Sequence, residues 1–187
     1  MLRLRLAELE REESLARARL SAVESRLRLI EKEHFVSDTD YVVKSLPAVR
    51  MAAKSAVIEN QSAIAEFVGK AFAELAEAVC AVGGSLDVAM ASYDMREEGI
   101  GVTVGYGVSL PVPGAEAVDL PATPSAVCGV HLGSMDGIGA AWHELARWVE
   151  SQGWAPSGPA RENYVRAWPV DDQSGWVTEL QQPVVPL

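Results

Sequence analysis

Cysteine is scarce in this chain: two among 187 residues, Cys80 and Cys128, with no CxxC spacing between them. That excludes a disulfide scaffold and a thiolate metal site. Both cysteines sit in apolar stretches and are expected to be small buried residues of a protein in a reducing compartment. Histidine is almost as rare. His34, His131 and His143 are dispersed, and His143 stands next to Glu144, a spacing that cannot put both on one helix face. No metal site and no cofactor are therefore expected. Long apolar runs are missing too. None approaches the roughly 20 residues needed to cross a bilayer, and no signal-peptide core follows Met1, so the expectation is a cytoplasmic protein without a membrane partner. The glycine-rich "GIGVTVGYG" (99–107) has no helix after it, which excludes a phosphate loop.

Basic residues are also in short supply beyond the first segment. Of 16 Lys and Arg and 26 Asp and Glu, eight basic and seven acidic residues fall within 1–34. The remainder holds eight against nineteen, a net charge of −11. A body of this sign repels nucleic acid at long range, so a DNA-reading surface is not expected there.

What is present begins with a repeat. Leu2, Leu6, Leu9, Glu13, Ala16, Leu20, Val23, Leu27 and Ile30 follow unbroken 4-3-4-3 spacing, flanked by charges of both signs and free of Pro and Gly. This is a heptad seam over more than four heptads. A stripe so narrow cannot be buried by an isolated helix, so residues 1–34 are expected to pair with a second copy of the chain instead of lying back on their own domain. Leu2, Leu6, Leu9, Leu20, Val23, Leu27 and Ile30 would carry the homodimer.

From residue 38 onward short strands and helices replace the heptads. "QSAIAEFVGKAFAELAEAVCAV" (61–82) has helical spacing and stops at Gly83-Gly84, and "LDVAMASYDM" and "GIGVTVGYGVSL" read as a hairpin. The pattern then starts again. "LPA" occurs at 46–48 and 120–122, and "GKAFAELAEAV" (69–79) shares Gly, Ala, an aromatic, Glu, Leu, Ala and Val with "GAAWHELARWV" (139–149) at seven of eleven positions. Each helix precedes glycines, a strand with a tyrosine (Tyr93, Tyr164), a turn and a further strand. This predicts a duplicated strand–helix–strand–strand unit, over about 40–112 and 116–187. The economical packing is α+β: one antiparallel sheet with both helices on one face and the other face open as a cleft.

The last strand, within "GWVTELQQPV" (175–184), carries a carboxylate, Glu179, near its middle. Aligning "VTVG" with "VTEL" sets it opposite Val104. Alternation puts Val177, Glu179 and Gln181 on one side and Trp176, Thr178 and Leu180 on the other. In "ENYVRAW" (162–168) it assigns Val165 and Ala167 to the helix side, and Glu162, Tyr164, Arg166 and Trp168 to an opposite, aromatic and charged side. Glu179 could pair with Arg166, be solvated, or be an acid kept from water for an incoming cation or as a general base.

A heptad helix followed by a duplicated body ending in "ENYVRAWP…WVTELQQPV" resembles the C-terminal part of a MerR-family transcriptional activator, its body being similar to the GyrI-like effector-binding domain of multidrug-sensing regulators. The resemblance implies a duplicated α+β fold over 38–187 and a drug pocket of aromatics around a buried acid. That acid maps onto Glu179 and the pocket tyrosine onto Tyr164; Trp168, Tyr93 and Trp142 join them as ligand-binding candidates by strand face and helix position. Such activators begin with a winged helix-turn-helix that this sequence does not show, so DNA would be reached only through that absent reader. The implied function is the effector-binding and dimerisation module of a regulator, acting without catalysis on amphipathic or cationic molecules. Two alternatives come from the same family: a stand-alone hydrolase that opens strained electrophiles through a pocket glutamate, and a gyrase-inhibitor-type protein-interaction module.

Overall fold

The structure is a computed structural model that describes residues 40–60 and 63–187. The heptad segment 1–34, with Leu2, Leu6, Leu9, Leu20, Val23, Leu27 and Ile30, lies outside the described residues.

Ten segments of the body are regular enough to name first. They are β1 (Val42–Leu46), β2 (Val49–Ile58), α1 (Ile64–Ala81), β3 (Ala89–Arg96), β4 (Gly99–Gly107), β5 (Glu116–Leu120), β6 (Thr123–Leu132), α2 (Ile138–Ser151), β7 (Trp154–Pro156) and β8 (Ala160–Arg166). The chain closes with β9 (Val177–Pro186). Eight strands form one antiparallel sheet in the order β1-β6-β9-β8-β3-β4-β2-β5, and short β7 pairs with the end of β9.

That order is symmetric about the central β8–β3 pair. Outward on one side come β9, β6 and β1; on the other come β4, β2 and β5. Each half begins with a strand beyond the expected unit, β1 or β5, which ends just before the proline of its "LPA" stretch, and the second half also adds short β7. A proline fixes φ and donates no hydrogen bond, so the strand breaks and the chain is redirected. β1 then pairs with β6 and β5 with β2, so each half lends its first strand to the edge of the other.

The helices repeat one another in detail. α1 buries Ala71, Leu75 and Val79, and α2 buries Leu145 and Val149 at the matching positions. Both end on a left-handed glycine, Gly83 (φ 74°) and Gly153 (φ 74°). The Gly83 N–H reaches the Cys80 carbonyl at 3.0 Å and the Gly84 N–H reaches Val79 at 2.9 Å, while the Gly153 N–H reaches Glu150 at 3.1 Å. Only glycine adopts this cap without a Cβ penalty, which is why both helices stop there.

Both helices cover the same sheet face. α1 packs on Ala91, Val102, Val104 and Tyr164, and α2 on Val127, Leu180 and Val184. The ladder joins these two sets, since Ala91 faces Glu162 and Glu162 faces Leu180. The α+β class and the antiparallel sheet carrying two helices thus stand. The assignment of faces does not. Tyr164 and Glu162 lie beneath the helices, whereas Val165 is 60% exposed. A register shift between Tyr164 and Arg166 interrupts the alternation, which lets Ala167 return to the helix side three residues after Tyr164. One extra residue re-aims everything beyond it.

Candidate functional site

Glu162 sits at the middle of the sheet, in β8, next to the pseudo-symmetry axis. Its ladder partners are Ala91 on β3 and Leu180 on β9, both buried. The glutamate itself is only 3% exposed. Three neutral donors converge on its carboxylate. Tyr164 Oη donates to Oε2 at 2.7 Å and Tyr93 Oη to the same oxygen at 2.8 Å, while Trp142 Nε1 donates to Oε1 at 2.9 Å. Among the described residues no Lys, Arg or His forms an ion pair with it. The acid is therefore satisfied in hydrogen bonds and unmatched in charge, an arrangement that is costly in a low-dielectric interior unless something positive arrives.

Each donor has a structural reason to be there. Tyr93 and Tyr164 occupy the two central strands, and alternation aims both at the helix side. Trp142 comes from α2, one turn before buried Leu145. The matching position of α1 is Phe72, whose ring meets Tyr164 edge-on at 5.2 Å and 88° and lies 5.3 Å from Tyr106. Phe67 and Met135 pack on the same cluster. The two helices thus hold an aromatic wall on either side of one acid. Burial, and then the neighbouring Glu162 charge, push the phenols of Tyr93 and Tyr164 far above the ordinary tyrosine value, so both remain neutral donors.

The structure brings Tyr93, Tyr164 and Trp142 together and leaves Trp168 and Glu179 elsewhere. Trp168 is 76% exposed, beyond the end of β8. Glu179 lies on the opposite face, level with Asn163, where Lys44 Nζ meets Oε1 at 2.5 Å and Gln181 Nε2 donates to Oε2 at 2.7 Å. It is neither partnerless nor among the aromatics, and its partner is Lys44, not Arg166, which donates to the Gly175 carbonyl.

The displacement comes from a one-residue slip. In β3–β4, Tyr93 faces Val102 and Ala91 faces Val104; in β8–β9, Tyr164 faces Thr178 and Glu162 faces Leu180. Val104 is therefore equivalent to Leu180, and Glu179 to Thr103. Matching the two Val-Thr pairs moves the comparison by one residue, and a shift of one exchanges the two faces. Alternation in the sequence groups Glu162 with Tyr164 but does not single it out. The signal that finds it is the pairing of Tyr93 with Tyr164 across the repeat, which sets Ala91 in one half against Glu162 in the other.

The cysteines separate as well. Cys128 is buried, and burial beside Glu179 pushes its thiol up to about 11. Cys80, expected to be buried, is exposed, because its position on α1 follows the buried Val79 out to solvent. Among the described residues no group of three or more His, Cys, Asp or Glu could hold a metal ion, and no helix is long and apolar enough to cross a membrane.

Solved structures share this fold. The EcmrR–DNA complex is 21% identical with a TM-score of 0.65, over 96% of this chain and 70% of that one. SAV2435 bound to tetraphenylphosphonium is 16% identical with a TM-score of 0.62, over 78% of this chain and 94% of its own. A hydrolase from Listeria innocua is 11% identical with a TM-score of 0.53, over 84% and 98%. No curated protein matches the chain. The model of the GyrI-like small molecule binding domain matches residues 39–185, which is most of the sequence and all of the sheet that carries Glu162. The chain belongs to the GyrI-like small molecule binding domain family.

Proposed function

We propose that this chain is the effector-binding and dimerisation module of a MerR-type transcriptional regulator, and that it binds amphipathic aromatic cations at Glu162. The observation that carries the reading is a carboxylate 3% exposed, held by three neutral donors, with no cation paired to it among the described residues. A guest cation displaces the Trp142 N–H from Oε1, supplies the missing charge, and rests its apolar groups on Phe72, Tyr93 and Tyr164, whose ring faces attract positive charge. Tyr93 and Tyr164 hold the other oxygen and keep the acid oriented. Trp142 serves as a stopper between guests. The similarity to SAV2435 bound to tetraphenylphosphonium and to the EcmrR–DNA complex supports a cationic ligand and a regulatory setting. The heptad residues Leu2 to Ile30 supply the homodimer, and DNA is reached through a reader outside this sequence.

The test is calorimetric titration with tetraphenylphosphonium. The wild-type chain binds it, and Glu162→Gln, which keeps the shape and removes the charge, weakens binding by about 1–3 kcal/mol. Equal affinities, with both proteins melting alike, would remove Glu162 from the role.

One observation favours a second reading. Glu162 with two phenols on one oxygen is also a base with built-in orienting donors, and the fold is shared with a hydrolase. On that reading Glu162 activates water against an electrophile, and Glu162→Gln abolishes turnover while leaving binding of a neutral substrate intact.

A further inference from the structure

The sheet has a second concavity, on the face away from the helices. A groove of about 410 Å³ runs there, lined among others by Leu46, Pro47, Val88, Met90, Asn163 and Val165. Arg161, in β8, also lines it and is 2% exposed. This guanidinium is incompletely satisfied. Nη2 donates to the Pro121 carbonyl at 2.9 Å and to Thr123 Oγ1 at 3.3 Å, but Nε and Nη1 are buried with no acceptor. No carboxylate pairs with it among the described residues. The other charges lining the groove are Lys44 and Glu179, which neutralise each other, and Asp87.

Buried arginines are ordinarily matched by an acid, because leaving guanidinium N–H groups unpaired in the interior forfeits their hydration for nothing. Among the described residues no acid matches Arg161, and the groove it lines has apolar walls. Leu46 and Met90 are buried, while Val88 and Val165 are open to solvent at 39% and 60%. One end therefore suits a negative charge and the rest suits a hydrocarbon.

We propose that this groove is a second ligand site, on the sheet face opposite Glu162, that takes the carboxylate of a small amphipathic acid on Arg161. One of the two unpaired groups, Nε–H or Nη1–H, donates to a carboxylate oxygen, Asn163 offers its amide beside it, and the ligand's apolar body lies along Leu46, Pro47, Val88, Met90 and Val165. The ligand has the opposite charge to the one that suits Glu162, and the sites lie on opposite faces of the same strand, as Arg161 and Glu162 are consecutive residues. A guest on one face therefore bears directly on the backbone that positions the other.

The experiment uses the full chain with 4-phenylbutyrate and its uncharged amide as probes, titrated by calorimetry. The acid is expected to bind saturably and the amide at least about tenfold more weakly, as for loss of one charged hydrogen-bonding partner. Arg161→Met should remove acid binding. Because Arg161 also tethers Pro121 and Thr123, a second variant guards against misfolding: Val165→Glu, at an exposed groove position, should weaken the acid about tenfold by like charge with the melting temperature unchanged. Glu162→Gln should leave acid binding as it is. No binding of the acid, equal binding of acid and amide, acid binding unaltered in Val165→Glu, or its loss in Glu162→Gln would each overturn the proposal.

Discussion

At the scale of a single residue, the buried acid Glu162 stands out. Glu162 has its three hydrogen bonds without a counter-charge, so its environment is polar enough to keep an acid and too oily to leave it content. The phenols around it give a prediction in pH. Both have folded-state values raised above the unfolded one by burial and by Glu162. Below the ordinary tyrosine value of roughly 10 both states are protonated and stability does not change on their account. Above it the unfolded chain loses these protons and the folded one does not, so stability falls as pH rises, by up to about 1.4 kcal/mol per pH unit for each tyrosine. Alkaline denaturation monitored by circular dichroism should steepen just above that value, and Tyr93→Phe should lower the slope. An unchanged slope would mean that the Tyr93 phenol ionises freely in the folded protein. Alkylation should label Cys80 and spare Cys128 until the fold opens, as mass spectrometry of the modified chain would show.

The elements are stabilised through matching positions. Leu75 on α1 and Leu145 on α2 are almost wholly buried and stand at the same place in the two helices. Truncating either to alanine should cost about 2–5 kcal/mol, read from urea unfolding. A similar cost for both is the expected mark of the symmetric packing. Gly129 of β6 is a tighter case. A Cβ there would come within 2.7 Å of the Tyr41 ring, which itself packs on Trp148 at 5.4 Å. Gly129→Ala should therefore destabilise by about 1–3 kcal/mol, because the ring has to shift against α2. The helices and their glycine stops are legible in the sequence, since periodicity and the cap residues are local. The extended segments on either side of Pro47 are legible as well, but their partners are not, because β1 pairs with β6 and β5 with β2 across the molecule.

At the scale of the whole molecule, charge and symmetry set the limits. The net −11 beyond residue 34 opposes phosphate binding, so the chain should not shift duplex DNA in a gel at physiological salt. The heptad residues predict self-association: sedimentation should show a dimer for the full chain and a monomer after removal of residues 1–33, and a dimer surviving that deletion would place the interface on the body. Duplication explains why the acid is single. The pseudo-twofold relates Ala91 to Glu162 and Tyr93 to Tyr164, so the two halves contribute both tyrosines but only one carboxylate, on the strand beside the axis.

The sequence alone determined the α+β class, the duplicated helices with their glycine stops and the acidic body, because each of these rests on spacing or composition within a short stretch. Only the tertiary structure decided that Tyr93, Tyr164 and Trp142 converge, and on which glutamate. A face in a strand is specified by parity, and parity across two strands depends on register, which a bulge after Tyr164 and a coincidental Val-Thr match both disguise. Glu162 and Glu179 look alike along the chain; one faces helices and the other faces Lys44, and that difference exists only once β8 and β9 are paired.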